Sequence, residues 1–368
     1  MIPSRSTIST AAALSLGALT ALGAGSAAAE TRGYVLNWFH MSTYSTPEDC
    51  PGGTNPSAEQ LFARIMKDAG KNQAEIDAAL KDFPNPMYFM APMRGKIDGK
   101  PVNIYVNPTA APDPQIKLAQ GKLSYGFNLD GKDGPNDFKD PETGATGIDN
   151  MLYRAVGCFN TQRATPPSRP TFPAIQWDML RDQMPAWLIE VKNIDDPKND
   201  PDVDVTFYRA TGPIMRNAAG EAQADQSFQA DGNPRNTSKV KGHIKDGVLT
   251  TDTFDFNIIG DPFTVPEYHF AKAQVRLKMD GDGVKGVIGG YQPWKMIYAS
   301  FSIGGSVNEA NLSIDVQGIY YALRKLADYD PDPATGENRQ ISSTYAMEGV
   351  PAFILPPKDT MVQTSERR

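Results

Sequence analysis

Cysteine and histidine are scarce in this 368-residue chain, which has two of the first and three of the second. Two cysteines cannot build a four-thiolate zinc or iron–sulfur centre, and without a Cys-x-x-Cys-His run covalent c-type haem is excluded. The histidines, His40, His243 and His269, show no spacing that would gather them on one metal ion. No phosphate-binding P-loop occurs, and no Gly-x-Gly-x-x-Gly follows a strand and opens a helix, so no nucleotide cofactor is expected. The nucleophile elbow Gly-x-Ser-x-Gly is also missing, since Gly304-Gly305-Ser306 supplies only half of it. Lys and Arg number 36 against 43 Asp and Glu, a formal net charge of −7. That balance argues against nucleic-acid binding, which needs clustered cations at phosphates, and against a polybasic membrane contact. After residue 29 no apolar run approaches the ~20 residues of a bilayer span, so no membrane insertion is expected.

What the chain does have begins with its leader. Arg5 precedes an apolar, Ala/Leu-rich run at 11–22, and small residues end in Ala27-Ala28-Ala29 before Glu30. This order of charged, apolar and small segments reads as a secretory signal peptide over 1–29, implying export to the periplasm or the extracellular medium. In such an oxidising compartment Cys50 and Cys158 are expected to form one disulfide.

The rest divides by composition into an N-terminal region at 30–161, a proline-rich linker or surface crossing at 162–173, a β-rich region at 174–356 and a flexible tail at 357–368. Residues 33–39 and 101–107 read as strands. Ser57 with Gln60 and Asn72 with Glu75 are capping boxes, each ahead of an apolar helical face, which predicts a short helical pair. Strand content recurs at 186–194, 203–210, 240–244, 248–259, 268–279, 284–291 and 296–303, with Asp280-Gly281-Asp282-Gly283 as a hairpin connection. One late helix is expected over 316–327 with Asp315 as its N-cap. The fold class is therefore α+β and β-rich: an antiparallel sandwich- or barrel-like sheet, a short N-terminal helical pair and one late C-terminal helix.

Three groups of residues point to chemistry. The Asp/Gly-rich stretch 128–150 can turn tightly and present oxygen ligands, which suits calcium, with Asp130, Asp133, Asp137 and Asp149 as ligands. It is not an EF-hand, because Lys132 and Lys139 fall at the fifth and twelfth positions. A solvated loop whose aspartates start turns explains the same composition. Met87, Met90 and Met93 repeat every third residue, and with His40 they could ligate Cu(I). Over these seven residues the spacing resembles the methionine motifs of copper-handling proteins; adaptable packing by Met is the plainer reading. Finally, His269 shares strand parity with Glu267, Ala271, Ala273, Val275 and Leu277, which predicts an inward histidine beside an orienting carboxylate, the parts of a general base. Trp38, Trp177, Trp187 and Trp294 could stack on sugars or fill a core. The leading expectation is an exported soluble binding or accessory protein with a structural calcium. A secreted hydrolase without a standard motif and a periplasmic copper-binding protein are the alternatives.

Overall fold

The computed structural model describes residues 29–164, 167–261 and 265–358; the expected signal peptide over 1–29 lies outside them but for its last residue, as do residues 165–166, 262–264 and 359–368. The first strand, β1 (Glu30–Met41), is followed by helices α1 (Ala58–Asp68), α2 (Gln73–Leu80) and α3 (Asn85–Met90) and a small hairpin, β2 (Gly95–Ile97) and β3 (Lys100–Val102). Helices α4 (Met151–Val156) and α5 (Thr171–Gln183) lead into β4 (Pro185–Ile194), β5 (Asn199–Pro213), β6 (Gln226–Gln229), β7 (Thr237–Lys245), β8 (Val248–Thr251), β9 (Phe254–Ile259), β10 (Glu267–Asp280) and β11 (Gly283–Pro293). The chain ends with α6 (Trp294–Leu312), α7 (Val316–Leu326), β12 (Tyr329–Pro331) and β13 (Asn338–Leu355).

The sheet closes on itself. Its hydrogen-bonded order is β1-β4-β5-β7-β8-β10-β11-β13, and β13 pairs back to β1, every step antiparallel. Between the two architectures left open by the sequence, this ring is a barrel and not a sandwich. Strand β1 makes the closure: Tyr34 lies opposite Ile189 of β4 on one side and Pro351 of β13 on the other. A ring of eight strands has an interior just wide enough for side chains to fill, and here Phe39, Trp187, Tyr268 and Tyr345 fill it. The Phe39 ring centroid is 4.8 Å from Trp187 and 5.2 Å from both tyrosines. A void of about 10 Å³ beside Leu36, Trp177 and Trp187 is no larger than one water needs. All four tryptophans are buried in this core. One cluster runs from Tyr34 to Met347 and draws on both sides of the proline-rich stretch at 162–173, within which α5 already begins. On the outer wall Lys241 pairs with Asp202 and Asp204, and Lys192 with Glu190. A lipid-spanning barrel would need an apolar band on its outside.

The alternating apolar runs became the staves because period-two burial suits a one-sided sheet. Three runs came out differently. Residues 248–259 divide into β8 and β9, and β9 pairs with β10 outside the ring. Residues 101–107 stay extended only to Val102, and then Ile104 turns in to bond Pro92 through its N–H. Residues 296–303 are helical: Trp294, Ile297, Tyr298 and Phe301 are the buried positions, a three-to-four spacing that makes one face of α6. The late helix α7 is thus one of two, with the Asp315 side chain accepting the Gly318 N–H at its start.

Helices α1 and α2 begin at Ser57 and Asn72, each side chain accepting from the N3 amide while Gln60 or Glu75 answers the cap's own N–H. They do not stand as a separate pair. Leu61, Phe62, Ile65 and Met66 of α1 join Ile76, Met87 of α3 and Ala310 of α6 in a satellite core. Burying side chains of this size contributes roughly 1.5–3 kcal/mol each. The Cys50–Cys158 disulfide, with Cα atoms 5.8 Å apart, ties the segment before α1 to the end of α4. Among the described residues no helix is long and apolar enough to cross a membrane.

Candidate functional site

The aspartates of 128–150 shape their own loop. The Asp130 carboxylate accepts the Lys132 N–H at 2.8 Å, Asp137 the Gly134 N–H at 2.5 Å, and Asp149 the Leu129 N–H at 2.7 Å. Asp140, which is fully buried, accepts the Glu142 and Thr143 amides and pairs with Arg276 of β10 at 2.7 Å, fastening the loop to the barrel. Burial pushes the Asp140 carboxyl up, but the Thr143 amide and Arg276 outweigh it and hold it below the usual range. Asp149 goes the other way: burial first, then the charges of Asp130 and Asp137, raise it to about 7. Among the described residues no three His, Cys, Asp or Glu side chains gather closely enough to hold a metal ion.

The methionine series is divided between environments. Met87 is fully buried in the satellite core, Met90 packs at its edge, and Met93 is half exposed. His40 sits elsewhere, in the barrel wall, its Nε2 2.7 Å from Gln176 Oε1 and its ring against Phe172. Burial lowers its imidazole to about 4.

His269 does not face inward. The buried residues of β10 are Tyr268, Phe270, Ala273, Val275, Leu277 and Met279, so the alternation slips by one between 270 and 273. The cause is a bulge: the register shifts there against both β9 and β11, and Lys272 takes a φ of +51°. One extra residue in a strand turns all that precedes it to the opposite face. His269 and Glu267 are therefore on the outer side, where Glu267 pairs with Arg235 at 2.6 Å.

No protein-family model, curated protein or solved structure matches this chain. Function must be read from the molecule itself.

The most distinctive surface surrounds a kink in α6. Gly305 has φ +40° and ψ −119°, and a Cβ there would lie 2.9 Å from the Tyr105 ring, so glycine is required on both counts. Beneath the kink, Glu309 is fully buried and receives Arg94 through two bonds of 2.7 and 2.9 Å, the Tyr105 hydroxyl at 2.8 Å and the Val316 N–H at 3.2 Å. Asp315 lies 3.9 Å from Arg94 and is paired with Arg64 of α1 at 2.5 Å. Burial raises the Glu309 carboxyl and Arg94 opposes it. This network binds the Pro92–Arg94 turn, Tyr105, α1, α6 and the start of α7 to one another. Tyr88 completes the junction, its hydroxyl donating to Asn311 and its carbonyl accepting from Ser306.

Above these contacts the three segments expose apolar side chains. Phe89 and Val106 are 78% and 74% exposed, and Ile303, Val307 and Met93 about half. Isolated exposed apolar residues are ordinary, but a contiguous group on a rigid support marks an interaction surface. Neither feature was read from the sequence. Glu309 being the only carboxylate between Gly283 and Leu312 was the one available signal.

Proposed function

We propose that this chain is an exported binding or accessory protein that works through an outward apolar face and not through a chamber in its barrel. The carrying observation is the group formed by Phe89, Met93, Val106, Ile303 and Val307, held open by the buried Arg94–Glu309 pair. Water contact with these side chains costs stability that a partner would recover on docking. The packed aromatic interior is the complementary support, since Phe39, Trp187, Tyr268 and Tyr345 meet one another across the barrel. Export is supported by the disulfide. The test is site-specific photo-crosslinking in cells that export the protein, with the probe at 89, 106 or 303 and controls at 204 and 239 on the barrel wall. Adducts confined to the first set support the reading; adducts at neither set, or equally at both, refute it.

A second reading, calcium held by Asp130, Asp133, Asp137 and Asp149, draws on the Asp/Gly composition of 128–150; three of these carboxylates now accept backbone amides of the loop and would have to turn to a cation. A divalent cation there would relieve their mutual repulsion. Its test is a Tm raised by millimolar Ca²⁺ and lowered by chelator. Neither a hydrolase built on His269 and Glu267 nor a copper site built on Met87, Met90, Met93 and His40 has a comparable observation in its favour.

A further inference from the structure

We infer that the apolar face around Gly305 docks on an anionic lipid surface as a peripheral contact; this rests on the interaction-surface reading above and names its partner.

Three observations choose lipid over other occupants. The first is shape: the most apolar side chains are also the most exposed, with Phe89 and Val106 projecting by about three-quarters of their surface. Projecting side chains enter a soft phase, whereas a protein ligand helix would need a groove to receive it. The second is charge. The chain carries −7 overall, yet the segments bearing this face have almost no exposed acid. Residues 83–111 contain Arg94, Lys96, Asp98 and Lys100 as their charged residues, and α6 contains Lys295 and the buried Glu309. With Arg94 committed to Glu309, the hairpin that follows Met93 carries Lys96 and Lys100 against Asp98, while Lys295, at the far end of α6, lies near Asp332 and Glu337. An apolar patch fringed by lysines in an acidic protein is the pattern of an interfacial anchor, in which aliphatic and aromatic groups sink below the headgroups and ammonium groups meet lipid phosphates. The third concerns self-association. A two-fold dimer would set this patch against its own copy and bring the lysine fringes together, a like-charge juxtaposition that opposes it.

The rigid base explains how a few side chains can serve. Arg94, Tyr105 and Glu309 fix the three segments before any membrane is met, so docking orders little backbone and loses little entropy. The barrel wall with its paired Lys241, Asp202 and Asp204 would stay in water.

The experiment is co-flotation of the exported protein with vesicles of phosphatidylcholine alone and of phosphatidylcholine with phosphatidylglycerol in equal parts, at low and high salt. Binding should favour the anionic vesicles and weaken with salt. The Phe89→Ser/Ile303→Ser variant should bind roughly tenfold or more weakly, because two apolar groups no longer leave water. Lys96→Glu/Lys100→Glu, which leaves the apolar side chains in place, should abolish the preference for anionic vesicles. Circular dichroism of each variant confirms that the fold is kept, as these positions are exposed. No flotation with either vesicle, or equal flotation of wild type and both variants, overturns the inference. A concentration-dependent dimer by light scattering that Phe89→Ser abolishes, without flotation, overturns it in favour of a second copy. Crosslinks from position 89 to a protein, without flotation, also overturn it while leaving the broader reading of the face intact.

Discussion

Replacing Arg94 by methionine removes the cation from a carboxylate that has no access to water, and should be among the most damaging single changes in the helical layer. Glu309 would keep only the Tyr105 hydroxyl and the Val316 amide. Breaking a buried ion pair from one side costs about 3–5 kcal/mol, because the remaining charge is uncompensated. Removing both partners is different: Arg94→Met with Glu309→Met leaves no orphan charge, and apolar groups of similar volume often restore stability or exceed it. The four corners of the cycle should therefore show a coupling of about 2–4 kcal/mol, with the double variant more stable than Arg94→Met alone. The pH dependence follows from the carboxyl. Burial already holds Glu309 above its unfolded value, and loss of Arg94 removes the main opposing influence. A carboxyl raised in the folded state contributes stability that is present below its unfolded pKa and lost as pH rises through the folded one. The deficit of Arg94→Met should thus be smaller at pH 5 than at pH 8. Equilibrium urea unfolding followed by tryptophan fluorescence at both pH values measures all of this. An Arg94→Met cost below about 1 kcal/mol, or a double variant as unstable as the sum of its singles, would refute the role given to the pair.

Further outcomes are expected elsewhere. Asp149, raised to about 7, binds a proton in the folded state that the unfolded chain releases near pH 4, so its contribution falls as pH rises toward 7. His40, lowered to about 4, acts with the opposite sign, its contribution falling as pH drops below 6.5; the difference between wild type and Asp149→Asn isolates the carboxyl. That variant should gain roughly 1–3 kcal/mol over wild type between pH 5 and pH 8 in urea titrations, and a pH-independent difference would contradict the assignment. Cys50→Ser with Cys158→Ala opens a loop spanning 108 positions and should cost about 4–5 kcal/mol on the chain-entropy account, read as a large drop in Tm. Gly305→Ala must place a Cβ against the Tyr105 ring at a glycine-only conformation and should lose about 2 kcal/mol or more; a neutral result would mean the kink is not enforced.

Local signals carried far in this chain. The capping boxes at Ser57 and Asn72 begin helices where reciprocal side-chain bonds satisfy free amides, which is a matter of neighbours three residues apart. Period-two apolar runs separated by Asp and Gly became staves, and the Asp280–Gly283 turn joins β10 to β11 as its residues suggest. The two cysteines, having only each other, are paired. Each of these follows from short-range geometry or from counting, so the amino-acid order was enough.

What tertiary structure decided involves partners distant in sequence. Closure of the barrel depends on β1 meeting β13 some three hundred residues later, and no pattern in either strand names the other. The segment at 296–303 suits strand or helix by content; packing of Ile297, Tyr298 and Phe301 on the barrel end settled it. A single extra residue near Lys272 turned His269 from the core to the outside, because strand parity is lost at a bulge. Most of all, residue types do not say which apolar side chains will be left uncovered. Phe89, Val106 and Ile303 look like core in the sequence, and only the assembled helices, clamped by Arg94 and Glu309, hold them in water.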